Sequence, residues 1–71
     1  MPHLLITDRQ DGSQRRAVIE SPRFTIGKKP SCQLMLDRVN ISREHCEIIA
    51  GDGHHILRDL KSRNGTFLNG K

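Results

Sequence analysis

The stretch Ile41-Ser42-Arg43-Glu44-His45-Cys46 decides the fold, read together with Ser62-Arg63-Asn64-Gly65-Thr66. Two short apolar runs, separated by Gly51-Asp52-Gly53, lie between them, so one hairpin can bring both stretches together. The first carries a hydroxyl and a guanidinium, and the second adds a hydroxyl, a guanidinium and an amide. Glu44 is the only acid among these groups. Such a set is suited to holding a dianion and not to cleaving a bond.

Short strands separated by turn residues account for the rest of the chain. Alternation predicts that Phe24 and Ile26 face inward from one strand, and Cys46 and Ile48 from another. Gly27 ends the first of these, which indicates a positive φ or close packing at that position. No window shows the apolar period of a long helix. We expect an all-β, antiparallel β-sandwich with strands at residues 3–7, 17–19, 23–27, 34–36, 46–50, 55–60 and 66–68.

The length of 71 residues predicts a single domain over 1–71. Apolar residues make up 34%, with two Phe and neither Trp nor Tyr, so the core should be thin. Asn69-Gly70 is a strong hairpin signal, yet only Lys71 follows it. We therefore expect a domain that lacks its usual final strands. Its open sheet edge could pair with a second copy of the chain, giving a homo-oligomer.

Two cysteines do not form a disulfide framework, and Cys46 reads as a buried thiol. The first residues lack the features of a signal peptide, and no apolar run is long enough to cross a membrane. The sequence therefore predicts a cytoplasmic protein without a membrane partner. The net charge of +4 favours anionic partners such as phosphopeptides, acidic peptides or nucleic acid.

Three blocks together resemble the forkhead-associated (FHA) domain in order and spacing. They are Gly27-Lys28, the stretch from Ile41 to His45, and Asp59-Leu60-Lys61-Ser62-Arg63-Asn64-Gly65-Thr66-Phe67-Leu68-Asn69-Gly70. The resemblance covers roughly residues 4 to 71. It implies a β-sandwich that binds phosphothreonine peptides through loops at one end, in Ser/Thr kinase signalling, without catalysis and without a cofactor.

The resemblance also implies a role for each matching residue. Ser42 would hydrogen-bond the phosphate, and Arg43 would add a charged donor in the same loop. Arg63 would contact the peptide or its phosphate, and Asn64 would bond the peptide backbone. His45 would brace the two loops against each other. The remaining matched residues would be structural: Gly27, Gly65, Thr66, Asn69 and Gly70.

Lys28 departs from the family pattern, which usually has Arg there. Lysine keeps the charge but loses the planar, bidentate fork, so its phosphate contact should be weaker and less directional. Lys29 could share the role. A domain that has lost its dependence on phosphate, and acts as an interaction or scaffold module, is therefore the leading alternative.

Other functions fit the residues less well. The spacing of His45 and Ser42 invites a Ser–His nucleophile, but no orienting carboxylate or oxyanion turn is evident. Neither a Cys-x-x-Cys pair nor a paired His spacing is present, so we expect no metal site from the Cys and His residues. Nucleic-acid binding is disfavoured because the sequence offers no aromatic stacking platform and its basic residues are scattered.

Overall fold

A computed structural model describes residues 2–68 of the chain and shows six strands there. In chain order they are β1 (His3–Thr7), β2 (Gln14–Val18), β3 (Arg23–Gly27), β4 (Leu34–Met35), β5 (Cys46–Gly51) and β6 (His54–Asp59). Within this range the chain forms no helix, and so none that could span a membrane. The prediction of an all-β fold is confirmed.

The strands form two sheets, one with the order β1-β2 and the other with the order β4-β3-β5-β6. Every pairing is antiparallel except that of β3 with β4, which is parallel and joins Ile26 to Leu34. A parallel pair needs a connection that crosses back over the strand end. The residues between β3 and β4 make this crossing, and they include Lys28.

A tight turn sets the register of the second hairpin. In the hairpin of β5 and β6, Gly51 pairs with His54 and Cys46 pairs with Asp59. Gly53 lies at its turn with φ of 72°, a conformation that glycine adopts without steric cost. This register places the first site stretch, at the start of β5, beside the residues that follow β6.

The core is small and lies between the two sheets. Ile19, Phe24, Leu34 and Ile48 are buried in it, and Phe24 pairs directly with Ile48 across β3 and β5. Both side chains point inward, as the alternation predicted. Ile26 is only half-buried against this cluster. Among its half-buried neighbours, Leu4, Ile6 and Ala17 come from the first sheet.

The opposite face of the larger sheet carries a fully buried acid. Glu47 has 0% of its surface exposed although it points away from the apolar core. Arg23 donates to its Oε1 at 2.5 Å, and Arg58 donates to its Oε2 at 2.7 Å. Because these residues belong to β3, β5 and β6, the cluster joins three adjacent strands.

The predicted strand at 66–68 is wrong, because these residues make no strand pairing. A strand requires a partner for its backbone groups, and the described residues supply none here. The Thr66 hydroxyl instead donates to Asp59 at 2.6 Å. The predicted turn at Asn69-Gly70 lies outside the described residues.

Candidate functional site

Three connections meet at one end of the larger sheet and enclose a groove of about 400 Å³. They are the crossing after β3, the segment before β5, and the segment after β6. All five residues predicted to bind phosphopeptide line this groove: Lys28, Ser42, Arg43, Arg63 and Asn64. Val39, Asn40 and Ile41 complete its lining. The structure thus brings together residues up to 36 positions apart in sequence.

Gly27 lets the first two connections lie side by side. A β-carbon at this position would fall 2.2 Å from the carbonyl oxygen of Arg43, so only glycine fits without moving the backbone. Its φ is not positive, so close packing is the reason for glycine here. Next to it, the Lys28 N–H donates to Ser42 O and the Lys29 N–H donates to Arg43 O, both at 3.0 Å.

The Ser42 hydroxyl links the second connection to the third. Its oxygen accepts a hydrogen bond from the Arg63 backbone N–H at 2.9 Å. A serine hydroxyl has one O–H to donate besides its acceptor positions. The bond to Arg63 therefore leaves that O–H available to an acceptor in the groove, such as a phosphate oxygen.

His45 braces the two site stretches from beneath and is 8% exposed. Its Nδ1 lies 3.0 Å from the Ser42 backbone N–H, and its Nε2 lies 2.9 Å from Gly65 O. Since Nδ1 must accept from Ser42, the ring is neutral with its proton on Nε2, which donates to Gly65. His45 thus contacts the amide of Ser42 and is not positioned as a base for its hydroxyl.

Asn64 connects the third segment to the second through its side chain. Its Nδ2 donates to Asn40 O at 2.8 Å. An amide side chain has a second N–H and a carbonyl oxygen. Both kinds of group are suited to pairing with the backbone of a bound peptide.

The groove carries positive charge without a nearby acid. Among residues 2–68, no carboxylate lies within 4.0 Å of the charged groups of Lys28, Arg43 or Arg63. Lys29 differs, since its Nζ lies 3.9 Å from Glu44. Three cations beside an available hydroxyl are chemically suited to a dianion.

Asp59 shapes the segment after β6 and was not among the predicted site residues. It accepts hydrogen bonds from the Ser62 N–H at 3.0 Å, the Ser62 hydroxyl and the Thr66 hydroxyl. The hydrogen bonds from Ser62, followed by that from Thr66, hold the pKa of Asp59 below its ordinary value. Asp is a common side-chain acceptor in turns, which was the available sequence signal.

The apolar residues of the groove were also missed. Val39 is 98% exposed at the tip of a turn closed by the Ile41 N–H bonding to Arg38 O at 3.1 Å. Arg38 pairs with Asp8 at the β1–β2 connection, which anchors this turn to the smaller sheet. The groove therefore has an exposed isopropyl group on a tethered turn.

Comparison with known proteins identifies the family. The model of the FHA domain matches residues 24–71. This chain belongs to the FHA domain family. The FHA resemblance is thereby confirmed over most of the chain, including all three of its sequence blocks.

Regulatory proteins of bacteria are among the curated relatives. The chain is 33% identical over 66 residues to the oxoglutarate dehydrogenase inhibitor of Corynebacterium efficiens, covering 93% of this chain and 46% of that protein. It is 32% identical over 66 residues to the glycogen accumulation regulator GarA of Mycolicibacterium smegmatis, covering 93% and 42%. The chain therefore spans slightly less than half the length of these relatives.

Solved FHA structures share the fold. One, from a study of phosphothreonine-dependent FHA domain interactions, matches with a TM-score of 0.71 and 30% identity, covering 94% of this chain and 66% of that one. Mycobacterium tuberculosis EmbR in complex with a low-affinity phosphopeptide matches with a TM-score of 0.69 and 27% identity, covering 89% and 16%. These matches confirm the predicted fold class.

Proposed function

We propose that this FHA domain binds Thr-phosphorylated segments of a protein partner, reversibly and without turnover, through the groove. One observation carries the proposal. Lys28, Arg43 and Arg63 share the groove with Ser42 and have no carboxylate within 4.0 Å in residues 2–68. A phosphate on threonine carries about −1.5 to −2 charges and three acceptor oxygens, which matches this set of donors.

The polar side chains of the groove make different kinds of contact in the proposed complex. The Ser42 hydroxyl donates to the phosphate, since its oxygen already accepts from Arg63 N–H. The guanidinium groups of Arg43 and Arg63 add charge-assisted hydrogen bonds, and Lys28 adds a point charge. Asn64 pairs with the peptide backbone, which would position the peptide independently of its side chains.

Val39 and Ile41 provide an apolar surface beside these polar groups. Threonine differs from serine by its γ-methyl group, and burying one such group contributes about 0.8 kcal/mol. Contact of that methyl with Val39 or Ile41 would favour phosphothreonine by roughly fourfold. The sequence did not identify which residue could supply this contact.

The biological setting follows from this chemistry. A Ser/Thr kinase and a phosphatase acting on the partner would control binding inside the cell. The regulators among the relatives are consistent with a binding role and no reaction of its own. Neither nucleic acid nor a membrane is part of the proposal. Pairing of two copies through an open sheet edge is a separate proposal.

The proposal is tested with one degenerate peptide library in three forms: phosphothreonine, phosphoserine and unmodified threonine. Circular dichroism first establishes that the chain is folded, and fluorescence anisotropy then measures binding to each pool. We expect binding to the phosphothreonine pool, weaker binding to phosphoserine, and none to the unmodified pool.

Two other results would contradict the proposal. Equal binding to all three pools would point to a phosphate-independent interaction domain. A folded chain that binds none of the pools would show that the groove does not take phosphopeptide. Thermal melts of the chain recorded with and without peptide would distinguish weak binding, which raises the melting temperature, from loss of the fold.

A further inference from the structure

Asp59, the last residue of β6, holds both ends of the loop that carries Arg63 and Asn64. Its Oδ2 accepts from the Ser62 N–H at 3.0 Å, and its Oδ1 accepts from the hydroxyls of Ser62 and, at 2.6 Å, Thr66. Ser62 comes just before the two groove residues and Thr66 comes shortly after them. A single carboxylate therefore closes this loop at its base.

The loop has a shape that needs such support. Lys61 has φ of 58°, which is unfavourable for a residue with a β-carbon. Gly65 has φ of 84°, in the region that glycine tolerates. The hydrogen bonds to Asp59 fall directly after Lys61 and directly after Gly65. They are thus placed to hold both left-handed turns.

Asp59 lies outside the groove lining, at the base of the loop. It is absent from the groove lining, whereas Arg63 and Asn64 belong to it. The groove side of the loop is attached separately, by Arg63 N–H to Ser42 and by Asn64 to Asn40. Apart from the long-range effect of its charge, Asp59 can therefore act on a ligand only through the loop.

We propose that Asp59 is a positioning residue for phosphopeptide binding, whose carboxylate fixes the loop so that Arg63 and Asn64 face the groove. The inference rests on the proposed function. It assigns to an exposed acid outside the groove lining a role in strengthening binding, although an acid near a phosphate site would ordinarily repel the ligand. These two effects have opposite signs, so one substitution separates them.

The test compares Asp59→Asn with Asp52→Asn in the same chain. Both changes remove one negative charge, and Asp52 lies in the β5–β6 turn, outside the groove. If charge alone mattered, each variant would bind the phosphothreonine peptide pool as tightly as the unsubstituted chain or slightly more tightly. We expect Asp59→Asn to bind roughly 5- to 20-fold more weakly, because a carboxylate with three donors loses acceptor capacity.

A double-mutant cycle tests whether Asp59 acts through the loop. In an Arg63→Ala background, the effect of Asp59→Asn should shrink to less than about half, since the group it positions is gone. Full additivity would mean that Asp59 acts through general stability and would overturn the inference. Circular dichroism of each variant confirms that the compared chains are folded.

The remaining outcomes are also decisive. If Asp59→Asn binds like Asp52→Asn, the inference fails while the proposed function stands. If the unsubstituted folded chain binds no phosphopeptide, the proposed function and the inference fail together. Should Asp59→Asn not fold, Ser62→Ala and Thr66→Val carry the test. Each removes one donor to Asp59, and unchanged affinity in both would overturn the inference.

Discussion

Two pairs of arginines on this domain have opposite surroundings. Arg23 and Arg58 flank Glu47, which is 0% exposed, while their own side chains remain 60% and 61% exposed. Arg43 and Arg63 lie at the groove, and within residues 2–68 no carboxylate is within 4.0 Å of either guanidinium. Both pairs are largely exposed, so exposure alone does not tell them apart.

The groups that surround each arginine pair indicate whether its charge serves stability or binding. Around Glu47 the hydrogen bonds are internal and join β3, β5 and β6, so the charges stabilise the sheet. At the groove, the guanidinium groups of Arg43 and Arg63 have no carboxylate partner within residues 2–68 and are available to a bound ligand. Charges that are satisfied within the fold should therefore affect stability, and charges that are not should affect affinity.

The largest effect is expected when groove donors are removed. Arg43→Ala, Arg63→Ala and Ser42→Ala should each weaken phosphothreonine-peptide binding by about 1.5–3 kcal/mol, the range for hydrogen bonds to charged groups. Anisotropy titration at neutral pH measures this. Arg23→Ala is the matched control, since it removes the same charge from the other pair. Equal losses of affinity in Arg23→Ala and Arg43→Ala would break the comparison.

The next effect concerns the fold. Glu47→Gln replaces one carboxylate oxygen by an NH₂ group, which faces an arginine donor and cannot accept from it. Because the site is buried and spans three strands, we expect the melting midpoint to fall by roughly 5–10 °C. Thermal melts followed by circular dichroism measure the change.

The same variant should leave the groove intact. Well below its midpoint, Glu47→Gln should bind the phosphothreonine peptide within about twofold of the unsubstituted chain, because no groove residue contacts Glu47. An unchanged midpoint, or a large loss of affinity, would show that the Glu47 cluster is not chiefly a stabilising element.

Acid should separate the two sets of charges. Burial raises the pKa of Glu47, but the hydrogen bonds and charges of Arg23 and Arg58 outweigh it and hold that pKa below its ordinary value of 4.5. A lowered pKa contributes stability above the ordinary value, and that stability is lost as pH falls through the folded pKa. The melting temperature should therefore decrease as the pH falls below about 4.5, and it should decrease less steeply in Glu47→Gln than in the unsubstituted chain.

Affinity should fall in a different range. The second pKa of the peptide phosphate is about 6, so its charge decreases between pH 7 and 5 while Glu47 and Asp59 stay ionised. Binding should weaken several-fold across that interval. An affinity that stays constant between pH 7 and 5 would contradict the binding of a phosphate dianion by the groove.

The sequence predicted those features that depend on local pattern. Alternation placed Phe24 and Ile48 inward, and the motif spacing placed Ser42, Arg43, Arg63 and Asn64 in one groove. The strand at 66–68 was predicted from local sequence, between a loop and the Asn69-Gly70 turn signal. It does not form because a strand also needs a partner, which is a property of the surrounding sheet.

Features that depend on register were not predictable. Glu47 alternates with inward residues and so reads as an ordinary surface acid. It is buried because Thr25 and Arg58 pair with it across β3 and β6, and Arg23 reaches it from the neighbouring position. Val39 likewise gains its exposed place in the groove from a turn that Arg38 anchors. In both cases the deciding partner is distant in sequence.

The smallest predicted effect concerns Lys28, where the family usually has Arg. The Lys28 backbone is held by its N–H bond to Ser42 O, so a longer side chain at this position would start from a fixed point at the groove. Arginine can donate two parallel hydrogen bonds to phosphate, whereas lysine acts as a point charge. Lys28→Arg should tighten phosphothreonine-peptide binding by about 0.5–1 kcal/mol, or roughly two- to fivefold.

Lys29→Arg is the control, because Lys29 already lies 3.9 Å from Glu44 and is not part of the groove lining. Titration of both variants against the same peptide pool measures the difference. If Lys29→Arg tightens binding and Lys28→Arg does not, the phosphate lies closer to Lys29 than the groove geometry implies. In that case an internal ion pair would not prevent a cation from serving the ligand, and the division between the two sets of charges would need to be redrawn at this residue.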